Sequence, residues 1–98
     1  MAGFVQIVEY RTSRFDEVKA MGEEYGRSAG SLARRVRVTE DRDNPGTYLT
    51  IAEFDSYESA MDNSKRPETA QFAEQMQKLC DGPPTFRNLD LRQAVEIT

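Results

Sequence analysis

Histidine and tryptophan are absent from the 98 residues, and cysteine occurs once, at Cys80. Without imidazole the chain cannot supply a Ser-His-Asp triad, a Cys-His pair, a zinc site that needs histidine or a proximal haem ligand, so neither a metal nor a cofactor is expected. One thiol excludes an internal disulfide. No apolar run approaches the ~18 residues of a membrane span, and no charged-then-apolar leader opens the chain, so a cytoplasmic location is expected. Thirteen basic against seventeen acidic side chains leave a net charge of −4. That balance argues against nucleic acid or an anionic membrane as partner.

What is present reads as one domain over residues 1–98. Phe4 to Arg11 is rich in β-branched and aromatic residues and predicts a strand. Ser13, with Asp16 three residues later, predicts a helix start, and Phe15, Val18, Gly22, Tyr25 and Ala29 recur on one helical face up to a stop at Gly30. Ser31 to Glu40 alternates as a second strand. Asn44-Pro45-Gly46 fits a turn with Pro at its second and Gly at its third position, and Thr47 to Phe54 follows as a third strand. Asp55-Ser56-Tyr57-Glu58 starts a helix that breaks before Pro67. A further helix carries Phe72, Ala73, Met76, Leu79 and Cys80 on one stripe, until Asp81-Gly82-Pro83-Pro84 ends it. Thr85 to Arg92 is a fourth strand. The order is βαββαβ with a split second helix, which implies a ferredoxin-like α+β fold: a four-stranded antiparallel sheet with helices on one face.

Strand parity sorts the residues into two faces. Val5, Ile7, Glu9, Leu32, Arg34, Val36, Val38, Leu49, Ile51, Glu53, Arg87, Leu89 and Leu91 form an aliphatic set, expected beneath the helices. The other set contains Phe4, Val8, Tyr10, Tyr48, Phe54 and Phe86, together with Arg35, Arg37, Asp90 and Arg92. So much aromatic surface is expected to be covered by a second copy of the chain, as a two-fold homodimer in which those charges pair across the interface.

The βαββαβ order, the Phe-Asp-Ser-Tyr-Glu-Ser-Ala-Met run at 54–61, and Arg66-Pro67-Glu68 followed by Phe72 resemble the dimeric α+β barrel superfamily. The resemblance is to antibiotic-biosynthesis-monooxygenase-like domains in particular, and it covers nearly the whole chain. It implies a homodimer whose sheets face each other, with a small-molecule pocket between sheet and helices in each protomer and a C-terminal segment, here Ala94 to Thr98, that extends strand four or crosses to the partner. Haem-degrading relatives use histidine and tryptophan. Quinone-forming, cofactor-free monooxygenases use Trp, His, Asn and Tyr, and cyclases of this fold pair a His with a Tyr. Those His and Trp roles have no occupant here, so either Tyr, Glu and Arg carry the chemistry or this chain binds without catalysing.

Glu9 is expected near Arg87 and Glu53 near Arg34, at opposite ends of an apolar floor. Tyr25, Phe72 and Met76 form its ceiling. In the catalytic reading, Glu9 or Glu53 is the base and Arg87, Arg34 and Tyr25 orient an anionic, aromatic substrate; in the bland reading the four charges are ion pairs. Gly22 and Gly26 either permit close helix-to-sheet approach or leave room for a ligand, since each costs about 1 kcal/mol against alanine in a helix. Cys80 reads as a small buried hydrophobe rather than a nucleophile. Tyr10 and Tyr48 can donate a proton, yet parity assigns them to the dimer face.

An RNA-recognition domain shares the strand order, but the third strand lacks the basic and glycine signature. An amino-acid-sensing module normally accompanies another domain. Acylphosphatase-type chemistry lacks its phosphate loop, because Arg11-Thr12-Ser13-Arg14 has no glycine. The expectation is a homodimeric α+β barrel that binds a small apolar or aromatic molecule, as a cofactor-independent monooxygenase on an aromatic or polyketide-like substrate. The alternative is a non-catalytic binding or structural dimer.

Overall fold

The structure is a computed structural model and describes residues 3–28 and 32–97. Its elements are β1 (Gly3–Arg11), α1 (Phe15–Ser28), β2 (Arg35–Glu40), β3 (Thr47–Phe54), α2 (Tyr57–Ser64), α3 (Pro67–Leu79) and β4 (Thr85–Leu91). The four strands form one antiparallel sheet in the order β2-β3-β1-β4. This is the ferredoxin-like α+β fold expected from the sequence, with the second helix split as Pro67 dictates. β2 starts at Arg35, so that the expected strand residues Leu32, Ala33 and Arg34 precede it, and β4 ends at Leu91, so Arg92–Ile97 does not lengthen the fourth strand. The expected positions Ala29, Gly30, Ser31 and Thr98 lie outside the described residues.

Local chemistry accounts for the joints. Between β2 and β3, the Thr47 amide donates to the Asn44 carbonyl at 3.0 Å. Pro45 presets its own φ and Gly46 takes φ +93°, a conformation that strains a residue with a Cβ. Between β1 and α1 the organising hydroxyl belongs to Thr12, not to Ser13: it accepts from the Arg14 amide at 2.9 Å and donates to the Leu79 carbonyl at 2.6 Å. With the Asp81 amide on the Arg11 carbonyl at 2.8 Å, this ties the end of β1 to the end of α3. Ser56 caps α2 by accepting from the Ser59 amide at 3.1 Å, and Pro67 occupies the first turn of α3, where its missing N–H costs nothing.

The register reverses the expected use of the two faces. Phe4 pairs with Phe54 and Asp90, Gln6 with Ala52 and Asn88, Val8 with Thr50 and Phe86, and Tyr10 with Tyr48. This is the aromatic face, and it lies under the chain's own helices. Phe4 and Tyr10 are each 3% exposed. The Phe4 ring meets Tyr57 of α2 edge to face at 5.5 Å, and Phe15 of α1 stacks on Tyr48 at 4.3 Å. Phe4, Phe54 and Ala60 form the core cluster, with Ala33, Ala52 and Met61 packed against it. The open face is the aliphatic one: Val5, Ile7 and Glu9 of β1 align with Glu53, Ile51 and Leu49 of β3 and with Leu89, Arg87 and Thr85 of β4. The expected homodimer contact through Phe4, Val8, Tyr10, Tyr48, Phe54 and Phe86 is therefore corrected. The physical reason is area and charge: aromatic rings bury the most surface when covered, whereas Glu9, Glu53 and Arg87 are tolerated on a face still open to water.

The second strand was also out of phase with the expectation. Arg35 and Arg37 align with Glu53 and Ile51 on the open face, while Val36 and Val38 align with Ala52 and Thr50 on the helix side. Arg35 and Arg37 thus do not share a face with Asp90.

Candidate functional site

The two central strands carry a row of uncharged polar groups on the helix side. Gln6 on β1 donates through Nε2 to Asn88 Oδ1 on β4 at 3.1 Å. Tyr10 on β1 and Thr50 on β3 share a hydroxyl hydrogen bond of 3.2 Å. They are interleaved with Val8 and Ala52, and the row runs from the Phe86 edge toward the Tyr10–Tyr48 pair, whose rings stack at 5.9 Å. Burial pushes the Tyr10 phenol up from its ordinary value, and the Thr50 hydrogen bond only partly offsets this. Tyr10 is a protonated phenol at neutral pH, suited to donating a hydrogen bond to an oxygen and ill suited to removing a proton.

Space remains between this floor and the helices. Gln6, Val8, Thr50 and Ala52 stay partly exposed although they belong to central strands on the covered side. Among the described residues no large side chain is completely buried. A Cβ placed on Gly22 or on Gly26 would meet no atom of the described residues within 4 Å, so close approach holds neither position to glycine; Gly22 is partly buried and Gly26 is exposed. Phe86, on the edge strand β4 beside Val8 and at the border of this hollow, is 56% exposed.

The residues singled out from sequence fall into two groups. Tyr25 and Phe72 come together as expected: their rings stack at 4.8 Å, and Tyr25 Oη meets Thr69 Oγ1 at 2.6 Å, joining α1 to α3. Met21, Glu24, Glu68, Gln71 and Gln75 join them around a cleft of about 200 Å³. Met76 is partly buried on α3, one turn beyond Phe72. Glu9 and Arg87 also meet as expected, at 3.1 Å, but on the open face of the sheet, away from Tyr25. Glu53 and Arg34 are neighbours as expected, the Arg34 amide donating to the Glu53 carbonyl at 2.7 Å, but the Glu53 carboxylate does not pair with the Arg34 side chain. It takes Arg37 at 2.8 Å and Arg35 at 3.8 Å, while Arg34 turns to Asp55 at 2.7 Å. The arrangement of carboxylates under a Tyr25, Phe72 and Met76 ceiling is thus split across the two sides of the sheet.

Cys80 is partly buried, and burial, with Asp81 second, pushes its thiol up. That suits a packing role and opposes a nucleophilic one. The residues the sequence reading passed over are Gln6, Thr50 and Asn88. Their signal was available: on the aromatic face the central strands carry no charge, and the polar groups between the rings, Gln6 and Thr50, are an amide and a hydroxyl set among Val8 and Ala52.

No family model and no curated protein matches the chain by sequence. Solved structures do match by shape. SnoaB, a cofactor-independent oxygenase from Streptomyces nogalater, in its N63A mutant, superposes with a TM-score of 0.80 at 12% identity, over 95% of this chain and 96% of that one. A candidate antibiotic biosynthesis monooxygenase of Deinococcus radiodurans gives 0.77 at 13% identity, over 97% and 98%. Rv0793 of Mycobacterium tuberculosis gives 0.74 at 15%, over 96% and 99%.

Proposed function

From the fold that this chain shares with antibiotic-biosynthesis-monooxygenase-like domains, we propose that it is one subunit of a cytoplasmic homodimer that binds a small aromatic molecule between its sheet and helices, and that it acts there as a cofactor-independent monooxygenase. The observation that carries the reading is the unfilled layer over Gln6, Val8, Thr50 and Ala52, floored by amides and hydroxyls and flanked by aromatic rings. A flat aromatic ligand matches such a layer, and its oxygens match the polar row. The Gln6–Asn88 bond uses one atom of each amide and leaves one donor and one acceptor group for the ligand. Thr50, partly exposed and hydrogen-bonded to the buried Tyr10 phenol, supplies a hydroxyl to a carbonyl or phenolate oxygen, while Tyr25, Phe72 and Met76 belong to the helical wall.

In such a reaction the electrons come from the substrate. An activated ring methylene flanked by phenols gives its proton to water, since the central strands bear no carboxylate on the helix side and Tyr10 keeps its own proton, and the resulting carbanion reduces O2. One oxygen atom stays on that carbon as a new carbonyl and the other leaves as water, so CH2 plus O2 becomes C=O plus H2O. Hydrogen bonds that stabilise the phenolate lower the cost of the ionisation.

The dimer forms through the open face. Val5, Ile7, Leu49 and Ile51 are partly exposed there, and Leu89 and Leu91 are each 42% exposed. Glu9–Arg87 and Glu53–Arg37 enter the interface already paired, which removes the cost of burying single charges. Val95 and Ile97, exposed beyond the end of β4, add apolar contacts to the partner.

A second reading, binding without catalysis, is favoured by one observation: the central strands bear no carboxylate on the helix side, Glu9 and Glu53 being on the other. Oxygen uptake with a three-ring phenolic methylene compound separates the two. Turnover at a rate that saturates with substrate supports the oxygenase; saturable binding with no oxygen uptake leaves the binding dimer; neither binding nor uptake removes both.

A further inference from the structure

We infer that residue 22, by carrying no side chain, sets the size of the aromatic molecule this protein accepts; the inference rests on the hollow being the ligand site. At about 100° per residue, position 22 lies within about 20° of position 15 and 40° of position 18 around α1. Phe15 lies flat on Tyr48 of the sheet and Val18 is 5% exposed, so Gly22 faces the sheet with them. It is itself partly buried. A side chain there would be expected to continue the contact that Phe15 and Val18 make, yet the added Cβ would meet nothing of the described residues within 4 Å; Gly26, one turn on, has the same open space but is exposed, so Gly22 is the one of the two that lies within the layer.

The position along the helix places this gap over the polar floor. Seven residues on from Phe15 is about 10 Å, and α1 folds back along the sheet from the Tyr10 end of β1. At about 3.3 Å per strand residue this brings Gly22 over the Val8 and Gln6 rows, where Thr50, Ala52 and Asn88 lie opposite. A glycine inside a helix lowers its stability, and neither close backbone approach nor a positive φ accounts for this one. Its effect is to leave the layer over those rows deep enough for a molecule of several fused rings, whose inner oxygens reach the amides. With a long aliphatic side chain at position 22, only the outer part of the hollow, near Phe86, stays open.

The test compares the native chain with Gly22→Ala and Gly22→Leu, titrated by calorimetry with a one-ring phenol and with three- and four-ring phenolic aromatics. Gly22→Ala is expected to melt a few degrees higher and to bind the larger probes within about threefold of the native chain. Gly22→Leu is expected to lose at least about thirtyfold in affinity for the three- and four-ring probes while keeping the one-ring phenol within about threefold. Equal affinity of Gly22→Leu and native protein for the four-ring probe overturns the inference and leaves the binding function standing. A native chain that binds none of the probes overturns the ligand site and the inference together. Should Gly22→Leu lose its helical circular dichroism, Gly22→Met, with its flexible side chain, carries the same comparison.

Discussion

Exchanging Ile7 and Val8 in turn separates the two faces of the sheet with adjacent residues. Ile7 stands on the open face between Ile51 and Arg87, and Val8 on the covered face between Thr50 and Phe86. In a two-fold dimer closed through the open face, Ile7 is buried once from each subunit. Truncation to alanine loses about 2 kcal/mol per side chain, hence about 4 kcal/mol per dimer, which raises the dimer dissociation constant about a thousandfold. Ile7→Arg costs more, because it sets a second guanidinium against Arg87 in the contact. Sedimentation velocity across a micromolar dilution series reads this directly, with circular dichroism to show that the protomer stays folded. Ile7→Ala should dissociate at concentrations where the native protein is dimeric, and Ile7→Arg should be a monomer throughout. Val8→Ala should sediment as the native dimer. A monomeric Val8→Ala beside a fully dimeric Ile7→Arg would refute the assignment of the faces and with it the route to the dimer.

Phe4→Ala should lower stability by about 3–5 kcal/mol in urea unfolding, because the ring is buried against Phe54 and Tyr57, whereas Tyr57→Ala, at a half-exposed position, should cost distinctly less. Gly46→Ala should destabilise by about 1–2 kcal/mol, since the turn holds that residue at φ +93°. At alkaline pH the native state keeps the Tyr10 proton where the unfolded chain, titrating near 10, has lost it. Stability from this source is therefore complete below pH ~10 and declines as the pH rises through the folded-state value; Tyr10→Phe should flatten part of that decline, and Thr50→Val should move the Tyr10 absorbance titration further upward. Glu9→Gln and Glu53→Gln should weaken the dimer in sedimentation while leaving aromatic-ligand affinity within about threefold, the opposite of what a catalytic or binding role for either carboxylate requires.

Element type and order were legible because each rests on local chemistry. Pro45 and Gly46 dictate a turn wherever the rest of the chain goes, Pro67 must interrupt the helical stretch, and Ser56 caps whatever helix follows it. The homodimer surface and the pocket were harder. Parity states which residues of one strand share a side, but the side that the helices cover is set by how the crossover from β1 to β2 lies on the sheet. The phase of β2 is set by its register with β3, in which Val36 meets Ala52 and Arg35 meets Glu53. A shift of one residue exchanges every side chain between faces, and an alternating edge strand carries little to oppose it.

One sequence signal did bear on the covered side: Glu9 and Glu53 sit on the two central strands, where a helical layer would bury them. The sequence by itself determined the elements, the turns and the exclusion of imidazole and disulfide chemistry, since these depend on residue identity and near neighbours. Only the tertiary structure decided that the aromatic face turns inward, that Glu9 and Glu53 lie away from the hollow, and that Gly22 looks onto open space. Those outcomes depend on the joint packing of helices and strands far apart in the chain, where the area buried by rings outweighs the pattern within any one strand.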